Sequence, residues 1–210
     1  MATSQAAAPT NSPTNLPTLA PPGAGIPAIE RWIGGFIFAF SRWRGTPDQF
    51  TARFLSERQA IRGLYTSVDE ARLKRRVLIP RLRGLEDSSR FWSVWMTLDH
   101  LRIVNTQIAM VVLQLSRGRV PPGQVSTAAV KPSPDVGPEI VQAYEASCDE
   151  LLAAVARQAE PHDQTPTSKP RYAHPWFGPL DAKGWHAMAA MHMGIHRAQI
   201  QRILQTISGG

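Results

Sequence analysis

The stretch Met191-His-Met-Gly-Ile-His-Arg-Ala-Gln199 carries two histidines at helical spacing near the end of the chain. At about 100° per residue, His192 and His196 lie one turn apart on the same face of a helix. Two imidazoles in an H-x-x-x-H arrangement can reach a common point and hold a metal ion. Because such pairs also occur without a metal, this spacing leaves a metal site and hydrogen-bonded core histidines as equal alternatives.

His100 is the third candidate ligand. It lies on an apolar face in the second of the predicted helices, so its side chain is expected to point inward, where facing bundle helices assemble metal ligands. Asp99 lies about 100° away, which favours a solvated or capping role. Gln199 follows His192 by seven residues and returns to nearly the same face. Two interpretations stay open for it, a hydrogen bond to a ligand or substrate and a tie to a neighbouring helix.

Four long helices are predicted around these residues by the apolar periodicity. They run from about Thr46 to Leu78, from the Ser88-Ser89 cap to just before Gly118, from Pro138 to Ala159, and from the Asp181 cap to Ile207. No convincing strand signal interrupts them, so we predict an all-α four-helix bundle over residues 46–208. The segments 117–138 and 161–180 exceed the usual helix–helix connection, and loops of that length are often functional.

The N-terminal region divides into two parts. Residues 1–27 are rich in Ala, Pro, Thr and Ser, and we predict a disordered tail, with residues 1–25 contacting nothing. Residues 28–45 are predicted to form a short apolar helix, weakened by Gly34-Gly35 and too short to span a bilayer. Packing of this helix onto the rest of the fold is favoured over docking to a membrane surface or a partner.

Composition limits the class of protein. The chain has 210 residues, a hydrophobic fraction of 43% and a formal net charge of +7, which suit one globular domain and exclude wholesale disorder. The single Cys148 excludes an internal disulfide framework and a cysteine-based zinc finger. The first 25 residues carry no charged side chain, so the positive start of a secretory signal is missing and we expect a cytoplasmic protein.

Three motifs, in this order along the chain, resemble those of DinB-like proteins. They are Trp92-Ser-Val-Trp-Met-Thr-Leu-Asp-His-Leu101, His174-Pro-Trp-Phe-Gly-Pro-Leu180, and the stretch 191–199 that follows Trp185. The resemblance covers about residues 47–207. It is nearest to the subgroup with an H-P-x-F-G loop before the last helix.

The resemblance implies a four-helix bundle, often dimeric, in which His100, His192 and His196 hold one divalent ion, nickel or zinc above all. Water or substrate would fill the open positions. Several relatives are thiol-dependent transferases or isomerases, so it implies a metal-dependent thiol transferase, or a related hydrolase or isomerase, that acts on a small molecule with a low-molecular-weight thiol. Ile195 stands where many relatives have a histidine, which removes one further donor but leaves the triad whole.

Three other side chains are candidates for contact with the ligands or the substrate: Gln199, Trp176 and His174. We expect His174 to hold the loop over the bundle end rather than to ligate, and Trp176 to line a pocket. His186 lies about 120° round the last helix from His192, so it should not share the site. Cys148 is followed by two acidic residues, which favours an inert thiol.

A basic run supports an alternative class of function. Its members are Arg72, Lys74, Arg75, Arg76, Arg81, Arg83 and Arg90. They are mixed with apolar residues and interrupted by no aromatic, so a solvated helix end is favoured and nucleic-acid binding is not expected. The alternative is a non-catalytic, stress-type protein that binds a metal, an anion or a nucleic acid.

Overall fold

The computed structural model describes residues 17–158 and 169–209, and the elements below lie within these ranges. The helices are α1 (Ala28–Arg44), α2 (Pro47–Thr66), α3 (Glu70–Lys74), α4 (Val94–Ser116), α5 (Ile140–Gln158) and α6 (Ala182–Ser208). The strands are β1 (Val77–Leu78), β2 (Phe91–Trp92), β3 (Tyr172–His174) and β4 (Gly178–Leu180), and a 3₁₀ turn covers Asp87–Ser89. Helices α2, α4, α5 and α6 form a bundle, so the predicted all-α fold class is confirmed.

The order of the bundle helices follows from their contacts. Helix α6 packs between α2 and α4, and α4 packs between α6 and α5. Helices α2 and α6 run in the same direction, since Thr51 contacts His186 and Glu57 contacts Arg197 further along both helices. The interior is apolar; its largest fully buried members include Phe54, Ile61, Tyr144, Leu151, Met193 and Ile200.

Glu145 closes the bundle between α2 and α5. Its carboxylate accepts hydrogen bonds from Arg58, Arg62 and Tyr65, at 2.6 to 3.0 Å. Arg58 also donates to Asp149, one turn further along α5, so α5 runs antiparallel to α2. A charge-assisted network of this kind fixes the facing surfaces of the two helices where few backbone contacts join them.

The first predicted helix is shorter than expected. Helix α2 starts at the predicted place, where Thr46 and Gln49 form a capping box. It ends at Thr66 rather than near Leu78, because Asp69 accepts a hydrogen bond from the backbone of Arg72 and starts the separate helix α3. Polar side chains that bond to nearby backbone compete with a continuing helix, and this effect outweighed the apolar period.

The second predicted helix starts later than expected. Ser88-Ser89 lies in the 3₁₀ turn, and the cap of α4 is Ser93, whose hydroxyl accepts from Met96 N at 3.1 Å. The expectation of no strands is also wrong for the described residues, because β2 pairs with β1 just before this cap. In contrast, the predicted cap of the last helix is confirmed: Asp181 accepts from Gly184 N at 2.8 Å.

The motif His174-Pro-Trp-Phe-Gly-Pro-Leu180 forms a β-hairpin. Strands β3 and β4 pair antiparallel, with His174 opposite Gly178 across the turn. Gly178 has φ +68°, a left-handed conformation that glycine adopts without a steric cost. Within the loop predicted over 161–180, residues 161–168 lie outside the described ranges.

The N-terminal region differs from the prediction in two ways. Residues 1–16 lie outside the described ranges, but Ala20 N donates to Asp87 at 2.8 Å and Gly23 N to Glu86 at 3.4 Å, so the expectation that residues 1–25 contact nothing is wrong. Helix α1 forms where a short helix was predicted, yet Phe38 is its one buried residue. The favoured interpretation, that its apolar side chains pack onto the fold, therefore fails for most of them. No helix among the described residues is long and apolar enough to cross a membrane.

We predict that the Glu145 network makes stability dependent on acid pH. Burial raises the pKa of Glu145, but the hydrogen bonds from Arg62, Tyr65 and Arg58 outweigh burial and hold the pKa at about 2. The stabilisation is therefore complete above pH 4.5 and is lost as the pH falls from there towards 2. We expect Glu145→Gln to lower the free energy of unfolding at pH 7 by roughly 1–2 kcal/mol, after allowance for solvent screening.

Urea titrations of both proteins at a series of pH values measure this effect. The difference between wild type and Glu145→Gln should shrink as the pH falls below 4.5. A difference that stays constant down to the lowest pH would show that the carboxylate charge is not what stabilises the α2–α5 contact. Glu150→Gln is the control, since the exposed Glu150 bonds only the hydroxyl of Thr106 among the described residues.

Candidate metal centre

The structure brings together the three histidines singled out in the sequence. His100 comes from α4, and His192 and His196 come from successive turns of α6. His192 Nε2 lies 3.2 Å from His100 Nε2 and 3.1 Å from His196 Nε2. One ligand nitrogen from each histidine lies within 4.8 Å of the other two, and His100 and His196 are buried.

A main-chain carbonyl fixes the protonation of His100. Its Nδ1 lies 2.6 Å from Val130 O. A carbonyl oxygen can only accept, so Nδ1 carries the hydrogen and donates it. In the neutral imidazole, Nε2 is then the unprotonated nitrogen, and its lone pair faces the other two histidines.

A hydrogen-bond relay fixes His196 in the same way. Gln199 is fully buried, and its Nε2 amide donates to Ser89 O at 2.8 Å. That bond orients the amide, so Gln199 Oε1 faces His196 Nδ1 at 2.6 Å and accepts its hydrogen. His196 Nε2 is therefore also an unprotonated nitrogen. Both interpretations left open for Gln199 apply, since it orients a candidate ligand and ties α6 to the 3₁₀ turn that precedes α4.

The electrostatics keep all three imidazoles neutral near pH 7. Burial lowers the pKa of His100 to about 4. Burial, with the neighbouring imidazoles, also lowers the pKa values of His192 and His196 well below their usual range. Neutral imidazole is the form that binds metal ions.

The donor set fits a divalent cation. The lone pairs of His100 Nε2 and His196 Nε2 both point at His192 Nε2, which carries at most one hydrogen and can donate it to only one of them. His192 Nδ1 is also buried without a partner among the described residues. An ion at the common point would satisfy every Nε2 at once. At zinc–nitrogen distances of about 2.05 Å, tetrahedral ligands lie about 3.3 Å apart, close to the 3.1 and 3.2 Å found.

The segment between α4 and α5 holds the site from one side. Asp99 Oδ2 accepts from Ser133 N at 2.9 Å, and this bond holds the chain that presents Val130 O to His100. The prediction of a solvated or capping role for Asp99 is wrong, because Asp99 is buried and its backbone partner, Ser133, lies outside its own helix. Lys131 anchors the same chain through Glu86 at 2.8 Å. No side-chain pattern could reveal the Val130 carbonyl, whereas the Asp-His pair in the motif Trp92–Leu101 was an available signal for Asp99.

The remaining histidine candidates lie outside the triad. His174 Nδ1 accepts from Trp176 N at 3.1 Å, and its ring stacks on Phe177, with centroids 4.8 Å apart. This arrangement matches the expected structural role in the hairpin. His186 contacts Thr51 at 3.2 Å on the other side of α6. Cys148 is buried, and burial raises the pKa of its thiol to about 12, in agreement with the inert role predicted.

A large cavity opens onto the triad. Its volume is about 900 Å³, and its wall is mainly apolar. One side is formed by α1, the opposite side by α4 and the segment after it, and the floor by the three histidines. Trp176 and Phe177 of the hairpin line the cavity, as predicted.

A four-helix bundle with three inward histidines below a cavity defines a class of protein with a candidate metal centre. The sequence model of the DinB superfamily matches residues 58–200, which is more than half of the chain, so the chain belongs to the DinB superfamily. A solved structure described as the crystal structure of TT2238, a four-helix bundle protein, is 24% identical with a TM-score of 0.51. It covers 74% of this chain and 98% of its own, and it supports the fold alone. No curated protein matches.

We predict that Gln199 contributes to both stability and metal affinity. In Gln199→Leu, Ser89 O and His196 Nδ1 lose their partners in a buried place, which should cost about 1–3 kcal/mol of unfolding free energy. Loss of a group that orients a ligand lowers metal affinity by about 10- to 100-fold in comparable sites. Thermal unfolding and a competitive chelator titration measure the two effects.

Gln205→Leu is the matched control, because Gln205 is exposed on the same helix. It should leave both quantities unchanged. Equal behaviour of the two leucine variants would mean that the relay neither stabilises the fold nor orients His196.

Proposed function

We propose that the protein binds one divalent metal ion, nickel or zinc, through His100, His192 and His196, and presents it to a small molecule in the cavity. The observation that carries the proposal is the orientation of two imidazoles by Val130 O and Gln199, which points their unprotonated nitrogens at His192. Three neutral protein ligands with room for another are typical of catalytic rather than structural metal sites.

We infer that the small molecule includes a low-molecular-weight thiol. A divalent ion held by neutral imidazoles keeps its charge and, when bound, lowers the pKa of a coordinated thiol or water. The chain itself supplies the binding wall and the orientation. Trp92 lies over the triad, with its ring 5.2 Å from His100 and stacked 6.3 Å from His196, and so excludes water from that side. Trp176 and Phe177 offer apolar surface to the rest of a ligand.

The alternative function, binding of an anion or a nucleic acid through the basic run, has weaker support. Arg72, Arg81 and Arg90 form ion pairs with Asp69, Glu30 and Asp87, respectively. Three of the seven basic side chains of the run are therefore paired with a neighbouring carboxylate. Binding driven by phosphates should weaken steeply with salt, whereas metal-dependent thiol binding should not.

We predict that purified protein holds about one nickel or zinc ion per chain. The substitution His192→Ala or His196→Ala removes one of three ligands, so most of the metal should be lost on dialysis. Elemental analysis by mass spectrometry measures the content. His186→Gln changes a buried histidine of the same helix outside the triad, and it should retain the wild-type metal content.

Full metal content in His192→Ala would contradict the site. Loss of metal in His186→Gln with the fold intact would place the metal elsewhere on α6. Circular dichroism on each variant separates loss of metal from loss of fold.

We also predict that the metal-loaded protein binds a low-molecular-weight thiol through sulfur. Cobalt-substituted protein should gain a thiolate-to-cobalt charge-transfer absorption when glutathione is added, because a metal-bound thiol is deprotonated. His196→Ala should abolish this band. Trp176→Ala should weaken glutathione binding several-fold while the cobalt content stays unchanged, because the side chain lines the cavity without contacting the triad.

Absence of the band at saturating glutathione, with cobalt bound, would overturn the thiol inference. The metal proposal would survive that result, and a closed coordination shell without an exchangeable ligand would then favour a non-catalytic metal-binding protein.

A further inference from the structure

Helix α1 exposes a continuous apolar face that nothing in the described chain covers. Its members are Ile29, Trp32, Ile33, Phe36, Ile37, Phe40 and Trp43, each between 47% and 75% exposed. At 100° per residue they occupy an arc of about 140° on one side of the helix. Together they form an apolar patch on the order of 800 Å², above the roughly 300–600 Å² of the largest patch on a typical monomer.

The opposite side of α1 attaches the helix to the protein. Phe38 is buried and stacks on Phe177 of the hairpin, with ring centroids 4.7 Å apart. Arg42 pairs with Asp181 at 3.8 Å, and Glu30 binds Arg81 and the backbone of Gly84. These attachments fix the orientation of the helix. The aromatic members of the face point away from the bundle, whereas Ile29, Ile33 and Ile37 border the cavity.

The exposed charges at the two ends of α1 are positive, with Arg44 at the edge of the apolar face and Arg31 on the opposite side of the helix, about 200° round from Ile29. Arg31 and Arg44 are exposed on α1, and Arg83 lines the same cavity as Arg31. Among the described residues none of these three forms an ion pair, while Glu30, the one acid of α1, is already bound to Arg81. The Arg44 guanidinium lies 5.7 Å from the Phe40 ring centre, so a cation lies at the edge of the apolar face.

These charges decide between two partners for the face. In an antiparallel pairing with a second copy, the Arg31 end of one helix would meet the Arg44 end of the other, and like charges destabilise such a contact. An anionic bilayer instead accepts the apolar side chains among its acyl chains and Arg44 at its headgroups. Arg31, on the far side of the helix, would still lie within about one Debye length of the charged surface. Tryptophans near both ends of an interfacial helix suit the boundary between the two regions.

We propose that α1 docks the protein on an anionic lipid bilayer, lying in the plane of the membrane surface with Trp32, Phe36, Phe40 and Trp43 inserted. No described helix is both long and apolar enough to cross a membrane, and the proposed association is with the membrane surface. Ile29, Ile33 and Ile37 belong both to this face and to the cavity wall. Docking therefore places the cavity mouth beside the lipid. The proposal rests on α1 and does not depend on metal binding.

Co-sedimentation of the full chain with vesicles of equal parts phosphatidylcholine and phosphatidylglycerol tests the apolar face. Wild type should sediment with the vesicles. Phe36→Ala/Trp43→Ala should lower the partition coefficient by at least about tenfold, because the variant loses two exposed aromatic anchors. Leu55→Ala removes an exposed leucine of α2 and should bind like wild type. Unchanged unfolding midpoints establish that all three proteins are folded.

A second experiment tests the contribution of charge with two double variants of equal net charge. Arg31→Gln/Arg44→Gln should lower binding to the anionic vesicles by about tenfold, with no such effect on pure phosphatidylcholine. Arg75→Gln/Arg202→Gln, which removes two exposed arginines outside α1, should leave binding within about twofold of wild type. A loss that is equal in the two variants would overturn the assigned orientation.

Two results would overturn docking itself. One is wild-type protein that stays in the supernatant with anionic vesicles. The other is a concentration-dependent dimer, seen by sedimentation velocity and abolished by Phe36→Ala/Trp43→Ala, in protein that does not bind vesicles. That result would assign the face to a second copy of the chain.

Discussion

Two fixed imidazole lone pairs, on His100 Nε2 and His196 Nε2, both face His192, and this is the constraint on which the structure depends. His192 Nε2 can donate a hydrogen to only one of the two, and a lone pair left without a partner is unfavourable where burial limits its access to water. Two fixed acceptors, Val130 O and Gln199 Oε1, nevertheless hold the rings in this arrangement. Such an arrangement suits a cation at the point that the three rings share. Both acceptors are themselves held by neighbouring structure, Gln199 by Ser89 and the Val130 segment by Asp99.

The direction of the helices explains why a long loop lies over the site. His100 of α4 lies beside the histidine pair of α6, whereas Ser89, which precedes α4 in the chain, lies beside Gln199, further along α6. An earlier residue thus meets a later one, so α4 and α6 are antiparallel. Because α2 is parallel to α6 and antiparallel to α5, helices α4 and α5 run in the same direction. The chain after α4 must therefore return along most of the roughly 34 Å length of that helix before α5 can start. On this path it passes His100, and Val130 becomes available as an acceptor.

One hairpin links the candidate metal centre to the N-terminal helix. His174 and Phe177 stack on each other, and Phe177 also stacks on Phe38, the buried residue of α1. His174 further contacts Trp185 on the first turn of α6, with ring centroids 5.4 Å apart. The motif His174–Leu180 thus has a structural explanation. Phe177 positions α1 beside the cavity, and His174 attaches the hairpin to α6. The same cavity wall joins the triad to the exposed face of α1, so the proposed ligand site and the proposed membrane-docking face share one part of the molecule.

The sequence by itself determined the fold class, the last helix with its Asp181 cap, and the three histidines that meet. Those features depend on local patterns, namely a helical period, a capping side chain and a four-residue spacing. Each follows from the geometry of the α-helix itself and does not require knowledge of distant residues. The prediction from sequence was wrong about the end of α2 and the start of α4. At these places Asp69 and Ser93 bond to nearby backbone, and this competes with the apolar period. Only the tertiary structure decided the tautomers of His100 and His196, the burial of Asp99 and the outward face of α1. Each of these depends on a group distant in sequence, such as the Val130 carbonyl, the Ser133 amide or the Phe177 ring. Contacts between distant residues produce no periodic pattern in the sequence, so the sequence could not predict them.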